Sequence, residues 1–174
     1  MLKLFIIFCA AGIFYSCNGG LDPAMTSKQA VLAGVLHFTQ GAGAKNFPPR
    51  DSLRDIRVVA FKQIPRDTNV IFALISGDAF FTSSLLDTNK LDSTIAFSFE
   101  ISQVQLADSI LTIKYLAAAQ QYGSNAFSDW RVIGLYKPIN DSTPTPLSVF
   151  AGQVRNDLDI NVDFKKIPPQ PFKR

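Results

Sequence analysis

Residues 95–101 read Ile-Ala-Phe-Ser-Phe-Glu-Ile, and this stretch decides the fold. Ile95, Phe97, Phe99 and Ile101 fall on every second position, with Ala96, Ser98 and Glu100 between them. Successive side chains of a strand point to opposite faces. The segment therefore has one dry face and one wet face, as in an antiparallel sheet packed on one side. The end of the chain repeats the pattern. Leu158, Ile160, Val162 and Phe164 alternate with Asp157, Asp159, Asn161 and Asp163.

Working outward, less regular alternation predicts strands at Val31–Thr39, Asp55–Gln63, Val70–Ser76, Ile110–Gln121, Trp130–Lys137 and Leu147–Val154. Between them lie clusters of Gly, Pro, Asn, Asp and Ser: Gly41–Pro49, Ile64–Asn69, Asp87–Ser93, Gly123–Asp129 and Asn140–Pro146. Each of these residue types favours turns for its own steric or hydrogen-bonding reason. Two stretches have helical propensity, Gly77–Leu86 and Leu116–Gln121. The second continues the alternation of Ile113 and Tyr115 and is read as strand. The expected class is all-β, an antiparallel β-sandwich of seven to eight strands.

The order of these features resembles the prealbumin-like, carboxypeptidase-regulatory-like modules. The matching features are Gly34-Val35-Leu36 in a first strand, Ile56–Phe61 in a second, Ile95–Phe99 in a later one, the long Leu111–Gln121 and the closing Asp157–Phe164. The resemblance spans about residues 31–164 and lies in the arrangement of strands. Lys90-Leu91-Asp92-Ser93 and Ala107-Asp108-Ser109 stand where those modules carry their turn signatures, so an immunoglobulin-like sandwich stays open as the alternative. Such modules are mostly noncatalytic, which is what the resemblance implies here.

The first residues carry an address. Lys3 precedes an apolar run from Leu4 to Phe14. A permanent span needs roughly 20 apolar residues, so this run fits the core of a secretory signal peptide. It ends in Phe14-Tyr15-Ser16-Cys17, which resembles the lipobox of bacterial lipoproteins, in its looser Bacteroidota-like form. The resemblance implies cleavage before Cys17, lipidation of that sulfur and attachment to the cell envelope, and Asn18 in place of Asp fits the outer-membrane sorting of many such lipoproteins. An ordinary signal peptide or an uncleaved anchor is the other reading. The resulting division is a signal peptide over 1–16, the lipidated Cys17 with a flexible tether to residue 29, a β-domain over 30–166 and a Pro-rich tail over 167–174. The chain has two cysteines, and Cys9 would leave with the signal. No disulfide is then available, and the domain must rest on its core.

The remaining chain is the size of one ordinary domain and long enough to bury a core of its own. The formal charge of +3 falls by one when Lys3 is removed. Basic residues are scattered, with Arg50, Arg54, Arg57, Lys62 and Arg66 the densest group; a nucleic-acid surface would want basic clustering with interleaved aromatics, so no nucleic-acid partner is expected.

Candidate chemistry is sparse. His37 is the sole histidine, and no Gly-x-Ser-x-Gly elbow supplies a nucleophile for it. A small hydrolase would have to join His37 to Asp129 or Asp78. Asp157, Asp159, Asn161 and Asp163 resemble the start of a calcium loop. Val162 and Pro168 stand where that loop needs Gly and Glu, so a solvated strand face is expected. No metal, cofactor or catalytic activity is expected. The most suggestive segment is Gln120–Trp130, with Tyr122, Phe127 and Trp130 beside Asn125 and Asp129. Aromatic faces with fixed polar groups suit a sugar or a peptide. The competing reading makes Trp130 a plug at the end of the sandwich. Expected partners are therefore a membrane, through lipid on Cys17, and a glycan, peptide or envelope protein. A purely structural subunit of an envelope assembly is the alternative. The tail Pro168-Pro169-Gln170-Pro171 is expected in polyproline II form, capping a strand edge or acting as a docking peptide.

Overall fold

A computed structural model describes residues 29–39, 47–66, 73, 75–86, 94–106, 110–137 and 143–172. The signal, Cys17, the tether up to residue 28, the turn cluster Asp87–Ser93 and parts of three other turn clusters lie outside the described residues. The strands are β1 (Ala30–Phe38), β2 (Asp55–Phe61), β3 (Ala79–Phe81), β4 (Thr94–Ile101), β5 (Leu111–Ile113), β6 (Tyr115–Gln121), β7 (Trp130–Leu135), β8 (Leu147–Val149), β9 (Val154–Arg155) and β10 (Ile160–Val162). Among the described residues, helical structure is limited to short turns such as Arg50–Ser52 and Gln103–Leu106. The chain is β-rich, as the alternation predicts. Among the described residues, no helix is long and apolar enough to cross a membrane.

An eight-stranded sheet runs in the order β3-β2-β6-β7-β10-β1-β4, with β9 also paired to β1, and curls into a half-barrel. A separate two-stranded sheet joins β5 to β8. The large sheet is mixed, which corrects the antiparallel expectation. β1 meets β4 antiparallel, but its other edge meets β9 and β10 in parallel, with Val31 opposite Val154 and Phe38 opposite Val162. Parallel neighbours need a long connection between them. Here almost the whole chain intervenes, because β1 opens the domain and β10 closes it.

The pattern that predicted the fold sets the inner face. Leu32, Leu36 and Phe38 of β1 pack with Phe97, Phe99 and Ile101 of β4, Ile56, Val58 and Ala60 of β2, and Ile160 and Val162 of β10. Leu111, Ile113, Leu147 and Val149 of the small sheet belong to the same core. Burying one such side chain contributes about 1.5–3 kcal/mol. Gly34 allows the parallel seam to close: a Cβ there would lie 3.0 Å from Leu158 Cα and overlap the Leu158 carbonyl.

Four further expectations change. Gly77–Leu86 is not helical but holds β3, whose Ala79, Phe80 and Phe81 pair with Phe61, Ala60 and Val59. Ile110–Gln121 is two strands parted at Lys114, because its halves belong to different sheets. Leu147–Val154 is likewise broken, at a turn where Gly152 takes φ 77°. Of Val70–Ser76, only Ala73, Ile75 and Ser76 are described, and Ala73 and Ile75 are helical.

The pairings also give the sheet two distinct ends. β10 runs parallel to β1, and β7 runs against β10 with Gly134 opposite Val162. Trp130 therefore stands beyond the Phe38 end of β1, at the far end of the sheet from Ala30.

A candidate binding groove on the outer face

Half of the large sheet is apolar on both faces. In β2, the alternate positions to the core residues are Arg57, Val59 and Phe61. In β6 they are Tyr115, Ala117 and Ala119. Phe61, Ala79, Tyr115, Ala117, Val132 and Leu135 form a second buried cluster on this outer side. A one-residue bulge makes the cluster possible. The β6–β7 register passes from Ala119 opposite Val132 to Ala118 opposite Gly134, which leaves Ile133 as the extra residue. Ile133 turns into the main core, while Val132 and Leu135, three apart, share the outer face. A bulge bends and re-aims its strand in this way.

Above this cluster lies a groove of about 230 Å³. Ala119 and Val132 leave space at its floor, and Phe61, Phe81, Tyr115, Phe127, Trp130 and Phe172 supply its aromatic lining. Arg57 crosses it. Its guanidinium carbon lies 5.3 Å from the Phe81 ring centre and 5.9 Å from that of Trp130. Its Nε donates to Asp55 Oδ2 at 2.7 Å. A cation held over two rings and neutralised by a carboxylate favours flat or apolar groups over a free anion. The Tyr115 hydroxyl and Asp55 Oδ1 are buried with no hydrogen-bond partner among the described residues. Burial pushes the Tyr115 phenol well above its ordinary range.

The segment Tyr122–Asp129 forms the rim at the top of β6 and β7. Asp129 ties it together, accepting from the Asn125 N–H at 2.9 Å and from the Ser128 hydroxyl at 3.0 Å. Asn125 Oδ1 accepts from the Phe127 N–H at 2.9 Å, and the Trp130 indole donates to the Ala126 carbonyl at 2.8 Å. A Cβ on Gly123 would lie 2.7 Å from Asp129 Cγ, so the carboxylate occupies the space that glycine leaves. Of the five residues singled out in sequence, Phe127 and Trp130 line the groove. Asn125 and Asp129 shape the loop, and the Tyr122 ring lies 5.8 Å from the Arg131 guanidinium. Reasoning from the sequence missed Arg57, Phe61, Phe81, Tyr115 and Phe172. The available signal was that β2 and β6 are apolar at odd and even positions alike, a mark of strands covered on both faces.

The other candidates lie elsewhere. His37 Nε2 is 3.1 Å from Asp159 Oδ2, whose second oxygen accepts from the Val35 N–H at 3.1 Å. Asp78 instead accepts from the Ser76 hydroxyl at 2.8 Å, and Asp129 serves the rim, so neither is the partner of His37. Arg155 holds Asp157 through two bonds of 2.8 Å, and this pairing lowers the Asp157 carboxyl below its usual range. Asp163 caps the Lys165 N–H at 2.9 Å. Among the described residues, no group of three or more His, Cys, Asp or Glu side chains could hold a metal ion.

No protein-family model, no curated protein and no solved structure matches the chain.

Proposed function

We propose that this protein is a lipid-anchored domain of a bacterial envelope that binds or scaffolds rather than catalyses. The observation that carries the reading is the aromatic groove on the outer face, with Trp130 and Phe127 at its rim and Arg57 across it. Cys17 would hold the domain at the outer membrane. Two or three acyl chains on one cysteine anchor far more firmly than a single chain, which binds only marginally. The tether over residues 18–29 gives a reach of roughly 20 Å. The ligand class that fits the lining is an apolar or aromatic part of a peptide or of an envelope protein, with a glycan face as the other candidate. The two-layered, prealbumin-like or immunoglobulin-like form of the fold belongs to the same proposal. It is supported by the β5–β8 sheet sharing a core with the large sheet.

A second reading, a structural subunit of an envelope assembly, is favoured by apolar side chains on the surface away from the groove, Ile110, Phe150 and Val154. One experiment addresses both. The full chain and Phe127→Ser are crosslinked in intact cells, with metabolic acyl labelling in parallel. Phe127 is 70% exposed, so its loss leaves the core intact. The binding reading expects label dependent on Cys17 and a crosslinked partner reduced at least fivefold by Phe127→Ser. Unlabelled protein, or a partner indifferent to Phe127, would count against it.

A further inference from the structure

β10 covers only part of β7: its pairing reaches Gly134 and Leu135 and stops short of Val132. The tail takes the uncovered place. The Val132 N–H donates to Gln170 Oε1 at 2.8 Å, and Gln170 Nε2 donates to the Val132 carbonyl at 3.0 Å and to the Pro168 carbonyl at 3.0 Å. A side-chain amide thus stands where the peptide group of a neighbouring strand would stand. The reason is in the sequence. Pro168, Pro169 and Pro171 have no N–H to give a ladder. The segment lends a carboxamide instead. Two residues further on, the half-buried Phe172 enters the lining of the groove.

The tail is therefore a proline-bearing peptide, bent at Pro171 and Phe172, held by two side chains, an amide on a strand's free backbone and a ring in an aromatic groove. Main-chain pairing for affinity with side-chain pockets for specificity is a recurring mode of peptide recognition. We propose that the groove is a peptide cleft whose resident occupant is the chain's own tail. Its exchange partner is an extended segment of another protein with the same pattern: a carboxamide side chain, and an aromatic ring two positions on. This rests on the reading of the groove as the binding surface. A tethered occupant competes at an effective concentration on the order of millimolar. The tail thus sets a threshold that only a well-matched or locally concentrated peptide exceeds.

The test uses the full chain and the peptide Ile167–Arg174 supplied separately, with binding read by calorimetry. Two tail variants are compared with the parent, Gln170→Ala/Phe172→Ala and the conservative Gln170→Glu, which loses the donor to the Val132 carbonyl. Circular dichroism checks that each is folded. The expected result is that the peptide binds both variants at least tenfold more tightly than the parent, and that a peptide with Gln170→Ala loses this gain. Equal affinity for parent and variants overturns the exchange. If no peptide binds while the apolar dye 1-anilinonaphthalene-8-sulfonate still binds in a Phe127-dependent way, the tail inference falls and the groove remains. If neither binds, both fall.

Discussion

Tyr115 carries a hydroxyl into the outer cluster, where it has no hydrogen-bond partner among the described residues. A buried polar group without a partner costs about 1–3 kcal/mol. Tyr115→Phe is therefore expected to keep the fold and raise stability by about 1 kcal/mol, measured by urea denaturation at neutral pH. The same residue fixes a pH dependence. Its phenol is raised in the folded state, so the unfolded chain loses that proton first. This group leaves stability unchanged with pH below the ordinary tyrosine range near pH 10 and makes it decline as pH rises above that range. The parent should weaken more steeply than Tyr115→Phe above about pH 10, and parallel curves would refute the assignment. At this scale the sequence was partly legible. Phe127 and Trp130 stood out because aromatic and polar residues cluster around them. Asn125 and Asp129 stood out for the same reason, yet their side chains are occupied in folding the rim. Arg57 could not be picked out, since its place between two rings depends on β3 and β7 meeting β2 and β6 in space.

Among the elements, β1 and β4 were the most readable, because each has a single buried face and so shows clean alternation. β3 was not, because its three residues sit within Ser, Asp and Gly and owe their strand form to pairing with β2. β7 was read as a strand over Trp130–Lys137, but the bulge at Ile133 hid which face each of its residues takes, since one extra residue shifts the alternation by half a period. The parallel seam was invisible for a different reason: periodicity reports which face is buried and says nothing of direction. That seam makes a sharp prediction. Gly34→Ala pushes a methyl into the Leu158 backbone, which cannot swing aside as a side chain can. A loss of about 1–3 kcal/mol is expected from overpacking. A neutral outcome in thermal unfolding would mean that β1 and the approach to β10 are not in contact.

At the scale of the whole molecule, no cysteine lies between Ala30 and Phe172, so cohesion depends on the shared core and on pairings between distant parts of the chain. Reductant should leave the melting temperature of the domain unchanged within error, and a shift of several degrees would point to a crosslink. Closing β1 against β10 also requires the last strand before the first is fully satisfied, so refolding should fall in the slower, millisecond-to-second range of nonlocal β-proteins. The opposed placement of Ala30 and Trp130 along the sheet has one further consequence. Under the proposed anchoring through Cys17, the body would present the Trp130 rim of its groove outward, at the pole farthest from the membrane. Long or surface-attached targets could then reach that rim without displacing the domain from its mooring.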